Sequence, residues 1–177
     1  MKVSVSREHQ IILCGLEILR LMRERMENRH DVDLQDVAAI LDFMRDVAHP
    51  CLENTEKLLR PALARRTSTN EGVWIDSALC CHDQLRSLFT EMEVVAGSAT
   101  IEAFFSASGT YTSELEKVIV QEGRLLPKII HAVFDGDADG SILNGFEETE
   151  REISDIARRH GPALHRLELK YAIPHCI

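Results

Sequence analysis

Hydrophobic residues recur every three or four positions along most of this chain, which is the spacing of one face of an α-helix. The clearest run lies between Phe104 and Pro127. Its apolar positions are Phe104, Tyr111, Leu115, Val118 and Leu125. The spacing predicts a helix over about 100–126 that buries this face.

Three earlier segments show the same periodicity and predict helices over about 7–28, 34–63 and 73–96. Pro50 lies inside the second of these and is expected to kink or interrupt it, because proline lacks a backbone donor. The polar segment 65–72 is predicted to be a loop. A fifth helix is predicted over about 141–160, and the pair Gly161–Pro162 is expected to separate it from a short last helix over 163–171.

Short connections make neighbouring helices run in opposite directions. We therefore expect an all-α fold, an antiparallel up-down four-helix bundle with an added C-terminal helix. The bundle is assigned to residues 1–130. Residues 131–177 are expected to form a helical extension that packs on the same domain.

Composition narrows the functional classes. The 177 residues are 45% hydrophobic and 28% charged, which fits one globular domain. The net charge of −9 disfavours nucleic-acid binding. No apolar run approaches the roughly 18–20 residues of a membrane span, and the first residues lack the pattern of a secretory signal. Five cysteines without a CxxC pair indicate reduced thiols, so we expect a cytoplasmic protein.

Each of the four bundle helices carries one ionisable residue on its apolar face. These residues are His9, Glu56, His82 and Glu122. In an up-down bundle the starts of the first and third helices lie at the same end as the ends of the second and fourth. At about 1.5 Å of rise per residue, the four side chains fall within roughly 10 Å of one level.

Two imidazoles and two carboxylates suit a transition metal such as iron, manganese or zinc. We therefore predict that His9, Glu56, His82 and Glu122 are metal ligands. A second interpretation stays open, in which the same residues form two buried His–Glu pairs without metal, since each hydrogen bond satisfies both partners.

Several motifs resemble those of the hemerythrin-like, HHE cation-binding family over nearly the whole chain. EHQIILCGLEIL is similar to the family's first ligand helix, and CCHDQLRSLF to its third. LENTE followed by LLRPAL, and LEKVIVQEGRLLP, resemble the two His-x-x-x-Glu helices. FEETEREISDI resembles the tail helix of bacterial members.

This resemblance implies a non-haem di-iron site that binds or senses oxygen, nitric oxide, peroxide or iron. His9 and His82 would then be terminal ligands, and Glu56 and Glu122 bridging ones. A binding or sensing role is favoured over an enzymatic one. A metal-free bundle that acts as an interaction or regulatory module remains the alternative, and a homodimer stays open.

The sequence departs from the family at two ligand positions. Leu52 and Val118 stand four residues before Glu56 and Glu122, where the family has histidine. A rival register would place Cys51/Thr55 and Lys117/Gln121 at the ligand positions, but it would drive a lysine into the core. His49-x-x-x-Glu53 also has the family's spacing, although Pro50 lies inside it.

The segment Asp135–Gly140 matches the start of an EF-hand calcium loop. Its twelfth position is Phe146, where the loop requires a bidentate glutamate. A turn that caps the following helix is the favoured interpretation, and calcium binding is the alternative.

Overall fold

The computed structural model describes residues 7–28, 31–65, 69–98, 100–133 and 140–171. In these ranges all of the regular secondary structure is helical and there is no strand, which confirms the all-α class. The helices are α1 (Arg7–Glu27), α2 (Leu34–Phe43), α3 (His49–Arg65), α4 (Thr69–Ser98), α5 (Ile101–Val133) and α6 (Gly140–Tyr171).

A π-helical turn, Met44–Ala48, joins α2 directly to α3. Pro50 cannot donate to the carbonyl of Asp46, and its ring crowds that carbonyl. A wider turn accommodates both effects, because π-helical hydrogen bonds span five residues instead of four. The interruption expected at Pro50 therefore takes the form of a local widening, and the chain remains helical from Leu34 to Arg65.

Three expected helix ends are wrong. α5 continues past Pro127 to Val133, and α6 runs unbroken through Gly161–Pro162. The predicted loop 65–72 is too long, because α4 already begins at Thr69. Ile129, Leu164 and Leu167 are buried beyond the prolines. Burying each such side chain contributes about 1.5–3 kcal/mol, which is comparable to the cost of each proline inside a helix, about 3 kcal/mol.

A layer of polar side chains divides the hydrophobic core into two parts. The larger part includes Leu52, Leu85 and Val118 and draws on all six helices. The smaller part lies between α3, α4 and α5 and consists of Leu58, Leu59, Ala62, Ile75, Ala78, Leu126 and Ile129. On each of these three helices one ionisable residue, Glu56, His82 or Glu122, stands between the two parts.

Helix α6 runs antiparallel to the α2–α3 segment and completes the larger core. Asn54 Nδ2 donates to the Phe146 carbonyl at 3.0 Å, and Lys170 Nζ lies 2.6 Å from Asp36 Oδ2 at the opposite end. Ile153, Ala157, Leu164 and Leu167 of α6 are buried in that core. The C-terminal extension therefore contributes to the same core as the preceding helices.

None of the helices in the described part of the chain has the length and hydrophobicity that a membrane span requires. No disulfide joins the cysteines at positions 14, 51, 80 and 81. The cytoplasmic location stays a prediction.

Candidate functional site

The four ionisable residues singled out in the sequence lie together in one chain of contacts. His82 Nδ1 lies 3.3 Å from Glu56 Oε1, and His82 Nε2 lies 2.7 Å from Glu122 Oε1. His9 Nε2 is 3.7 Å from Glu122 Oε2. All four side chains are buried, and they come from α1, α3, α4 and α5. We call this set the polar layer.

His82 is the centre of the polar layer. Both of its ring nitrogens face carboxylate oxygens, and the side chain is fully buried. Only the protonated ring carries two N–H donors. A protonated His82 therefore satisfies Glu56 and Glu122 at once, whereas a neutral ring donates to one of them.

Glu56 lies at the outer edge of the polar layer and is held by two arginines. It accepts hydrogen bonds from Arg86 Nη1 at 2.6 Å and from Arg60 Nη2 at 2.8 Å. Burial raises the pKa of Glu56, but the hydrogen bonds from Arg86 and Arg60 outweigh that effect and hold the pKa below its usual value. The carboxylate is therefore ionised at neutral pH.

His9 lies at the opposite end of the polar layer from Glu56. Burial lowers the pKa of His9, and the negative charges of Glu122 and Glu8 oppose this effect only in part. The ring is therefore neutral at neutral pH. Neutral imidazole is the form that coordinates a metal ion.

A cavity of about 140 Å³ opens beside His9 and Glu122. Glu122 Oε2 and Asn54 Oδ1 have no hydrogen-bond partner within the described residues, although both side chains are almost fully buried. The walls of the cavity are formed by His9, Cys51, Asn54, Thr55, Glu122, Gly123, Leu126, Pro127, Ile130, Phe146 and Glu150. A buried carboxylate oxygen without a donor is unfavourable unless a cation or donor reaches it. This cavity, next to the polar layer, is the candidate binding site.

The side chains of the polar layer are of the types that bind a metal ion, but they are not arranged as a metal-binding group. Two imidazoles and one carboxylate are a common ligand set for non-haem iron, and His9, His82 and Glu122 provide it. Glu56 faces the other nitrogen of His82, as carboxylates do behind metal-bound histidines. In the ranges that the structure describes, however, no three His, Cys, Asp or Glu side chains are arranged as a metal-binding group.

The structure favours the preferred register on α5 over its rival. Leu115 and Val118 are buried, whereas Lys117 is exposed and pairs with Glu114. Cys51 and Thr55 are buried at the cavity wall. One detail of the predicted seam is wrong: after Glu122, the buried leucine is Leu126, and Leu125 is only half-buried.

His49 and Glu53 do not form a pair. His49 packs against Phe89, with ring centroids 4.3 Å apart, and its Nε2 lies 3.4 Å from the Tyr111 hydroxyl. Glu53 is exposed to solvent. Leu52 and Val118, which occupy the family's histidine positions, are both buried in the larger core. The calcium-loop hypothesis concerns residues 135–139, which lie outside the described residues.

Four residues of the site were missed in the sequence. Arg60 follows Glu56 by four positions, and Arg86 follows His82 by four, so each arginine lies on the helix face that carries a residue of the polar layer. Both arginines donate to Glu56. That spacing was a usable signal. Asn54 and Glu150 carried none, because their role depends on how α6 packs against α3.

Comparison of the chain with models of known protein families, with curated proteins and with solved structures found no match. The resemblance to hemerythrin-like proteins therefore rests on the motifs alone and stays a hypothesis.

Proposed function

We propose that this chain is a hemerythrin-like antiparallel four-helix bundle, with α6 added, whose polar layer binds a metal ion. The contacts in the polar layer support the up-down arrangement. His9 is near the start of α1, Glu56 is in the second half of the continuous helical segment from Leu34 to Arg65, and Glu122 is in the second half of α5. Helices that alternate in direction would bring these three residues to one level.

The proposed site takes one ion, with iron as the first candidate and manganese or zinc as alternatives. His9, His82 and Glu122 would hold it, and Glu56 would orient the His82 ring. The observation that carries the proposal is Glu122 Oε2, a buried oxygen 3.7 Å from His9 Nε2 that accepts no hydrogen bond within the described residues. A bound iron would supply an open position for oxygen, nitric oxide or peroxide. The chain would then act in binding or sensing.

A metal-free bundle that serves as an interaction or regulatory module is the second candidate. The specific observation in its favour is that protein groups already engage His82 and Glu56. Both nitrogens of His82 face carboxylates, and Glu56 is held by two arginines. Leu52 and Val118 also remove two of the ligands that a di-iron site would use.

Metal analysis of the purified chain separates these candidates. After expression in iron-supplemented medium, the metal proposal expects close to one ion per chain and a visible absorption that changes with peroxide or nitric oxide. Glu122→Gln should lose the metal while keeping its helical circular dichroism. Glu53→Gln, which changes an exposed glutamate on α3, is the matched control and should keep it. A wild-type protein that takes up no metal under these conditions would favour the second candidate.

A further inference from the structure

A group of carboxylates marks the outer side of the cavity. Glu150 lines both the cavity and a second, more open pocket on the surface, where Glu8 and Glu147 also lie. Glu8 belongs to α1, and the other two belong to α6. Arg151 and Ser154 complete this outer pocket. The two pockets share one acidic residue, so a ligand that enters from this side meets negative charge first.

The inner end of the cavity offers hydrogen-bond acceptors. Asn54 Nδ2 donates to the Phe146 carbonyl, and this bond leaves Asn54 Oδ1 without a partner in the described part of the chain. Glu122 Oε2 also has no hydrogen-bond partner among the described residues. Both residues line the cavity, and neither exposes more than 2% of its surface. Among the residues that the structure describes, none therefore donates a hydrogen bond to these two buried oxygens beside the cavity.

The backbone carbonyl of Gly123 is a third hydrogen-bond acceptor at the cavity, because of Pro127. Proline has no N–H group, so it cannot bond to the carbonyl four residues earlier in the helix. That carbonyl belongs to Gly123, and both residues line the cavity. The rest of the wall is largely apolar and includes Leu126, Ile130 and Phe146.

We propose that this cavity binds a small protonated primary amine. The ammonium group would donate to Glu122 and Asn54 and be attracted by Glu150, while a short alkyl chain would contact Leu126, Ile130 and Phe146. An ammonium group carries three donors and no acceptor, which complements the two buried oxygens, Asn54 Oδ1 and Glu122 Oε2, at this cavity. The size also fits, because a cavity of about 150 Å³ holds a six-carbon ring.

The charge on Glu150 supports a cationic ligand. Burial raises the pKa of Glu150, and the negative charges of Glu8 and Glu147 raise it further. A cation at this position would stabilise the ionised carboxylate. An anion or a neutral diatomic molecule would gain nothing from these three charges.

The proposal rests on the candidate site but not on its metal. It uses the same oxygen, Glu122 Oε2, so a bound metal ion would compete with the amine, and the test is made on the full chain after metal removal with a chelator. Failure to bind an amine would leave the metal analysis unaffected, and absence of metal would leave the amine test unaffected. The two proposals can therefore fail separately.

Titration calorimetry with n-butylammonium chloride is the test, with 1-butanol and sodium butyrate as the neutral and anionic probes. We expect saturable one-to-one binding of butylammonium, and at least about tenfold weaker binding of the other two, which corresponds to about 1.4 kcal/mol. Glu150→Gln should weaken butylammonium binding by about tenfold. Glu148→Gln changes an exposed glutamate on the same helix and is the matched control.

A second variant tests the location. Ile130→Phe adds bulk to the apolar wall and should reduce binding without changing the net charge. Circular dichroism and a melting curve establish that each variant is folded. The proposal is overturned by the absence of saturable heat, by equal binding of 1-butanol, or by wild-type affinity in both Glu150→Gln and Ile130→Phe.

Discussion

The Nε2 atom of His82 lies 2.7 Å from Oε1 of Glu122, and neither side chain exposes more than 1% of its surface. A buried pair of this kind contributes little net stability, because desolvation offsets the attraction. Breaking it is costly, because the remaining ionised group stays buried without its partner. The polar layer therefore holds α4 against α5, because separating the two helices would leave a buried charged group without its partner.

A double-mutant cycle on this pair should show strong coupling. We expect His82→Leu or Glu122→Leu alone to lower the free energy of unfolding by about 3–5 kcal/mol. The double variant should cost clearly less than the sum, because no unpaired carboxylate or imidazole remains between the two positions. Urea unfolding followed by circular dichroism measures all four proteins. Additive losses would show that the two residues act independently.

The free energy of unfolding should depend on pH through the protonation of His49. Burial and the positive charge of Arg86 lower the pKa of His49 to about 4, below the value of about 6.5 in an unfolded chain. Between these two values the unfolded state binds a proton that the folded state does not. Stability is therefore lost as the pH falls from about 6.5 toward about 4.

His49→Gln removes this titration and should flatten that part of the profile. The difference in unfolding free energy between wild type and variant should shrink as the pH is lowered through the window. Tyr111→Phe is the matched control, since it removes the hydroxyl beside His49 Nε2 without removing the imidazole. Its difference from wild type should stay constant across the same range. A constant difference for His49→Gln as well would contradict the prediction.

Asp36 anchors the end of α6 and should be a strong determinant of stability. Its side chain is fully buried and accepts hydrogen bonds from Arg166 and Lys170, each at 2.6 Å, and from the Tyr171 hydroxyl at 3.1 Å. Burial raises the pKa of Asp36, but the hydrogen bonds from Lys170, Arg166 and Tyr171 outweigh it, and the pKa lies below its usual value. The stabilisation is present at neutral pH and is lost as the pH falls through that lowered value.

Asp36→Ala should therefore destabilise the protein by about 1.5–3 kcal/mol at neutral pH, because it removes the charge-assisted hydrogen bonds of a buried carboxylate, while Arg166 and Lys170 remain partly exposed to water. The loss should be smaller in strong acid, where the wild-type carboxylate is protonated. Asp155→Ala, at an exposed ion pair on α6, is the control and should cost under about 1 kcal/mol. Equal losses from the two substitutions would rule out an anchoring role for Asp36.

Gly15 should not tolerate a methyl group. A Cβ atom there would lie 2.3 Å from Phe43 Cε1, and Phe43 is fully buried. We expect Gly15→Ala to lower the melting temperature, since overpacking a core costs about 1–3 kcal/mol. Gly145→Ala is the control, because nothing lies within 4 Å of the added atom. It should raise stability by up to about 1 kcal/mol through helix propensity. A neutral Gly15→Ala would mean that α1 and Phe43 can move apart.

Periodicity and topology were enough to bring the polar layer together. The apolar seams located His9, Glu56, His82 and Glu122, and the expectation of alternating helix directions predicted that they lie close together, as their contacts show. The rule that proline ends a helix was less informative about helix boundaries. Pro127 and Pro162 lie inside helices, because the buried residues beyond them pack well enough to outweigh a lost hydrogen bond.

The cavity could not be predicted in the same way. It exists because α6 brings Phe146 and Glu150 against residues of α1, α3 and α5. The polar pattern of α6 shows which face is buried, but not which neighbours that face meets. The same packing engages the amide nitrogen of Asn54 with the Phe146 carbonyl, and within the described ranges its amide oxygen has no hydrogen-bond partner.

The widened turn at Met44–Ala48 adds one residue to an otherwise regular helix. Each residue of an α-helix rotates the chain by about 100°, so this extra residue resets the direction of every side chain from His49 onward relative to Asp36. Asp36 can then face α6 while Glu56 faces α4. If the segment were one residue shorter, only one of these two carboxylates could face its present partners. The length of this turn therefore sets the orientation of Asp36 relative to Glu56.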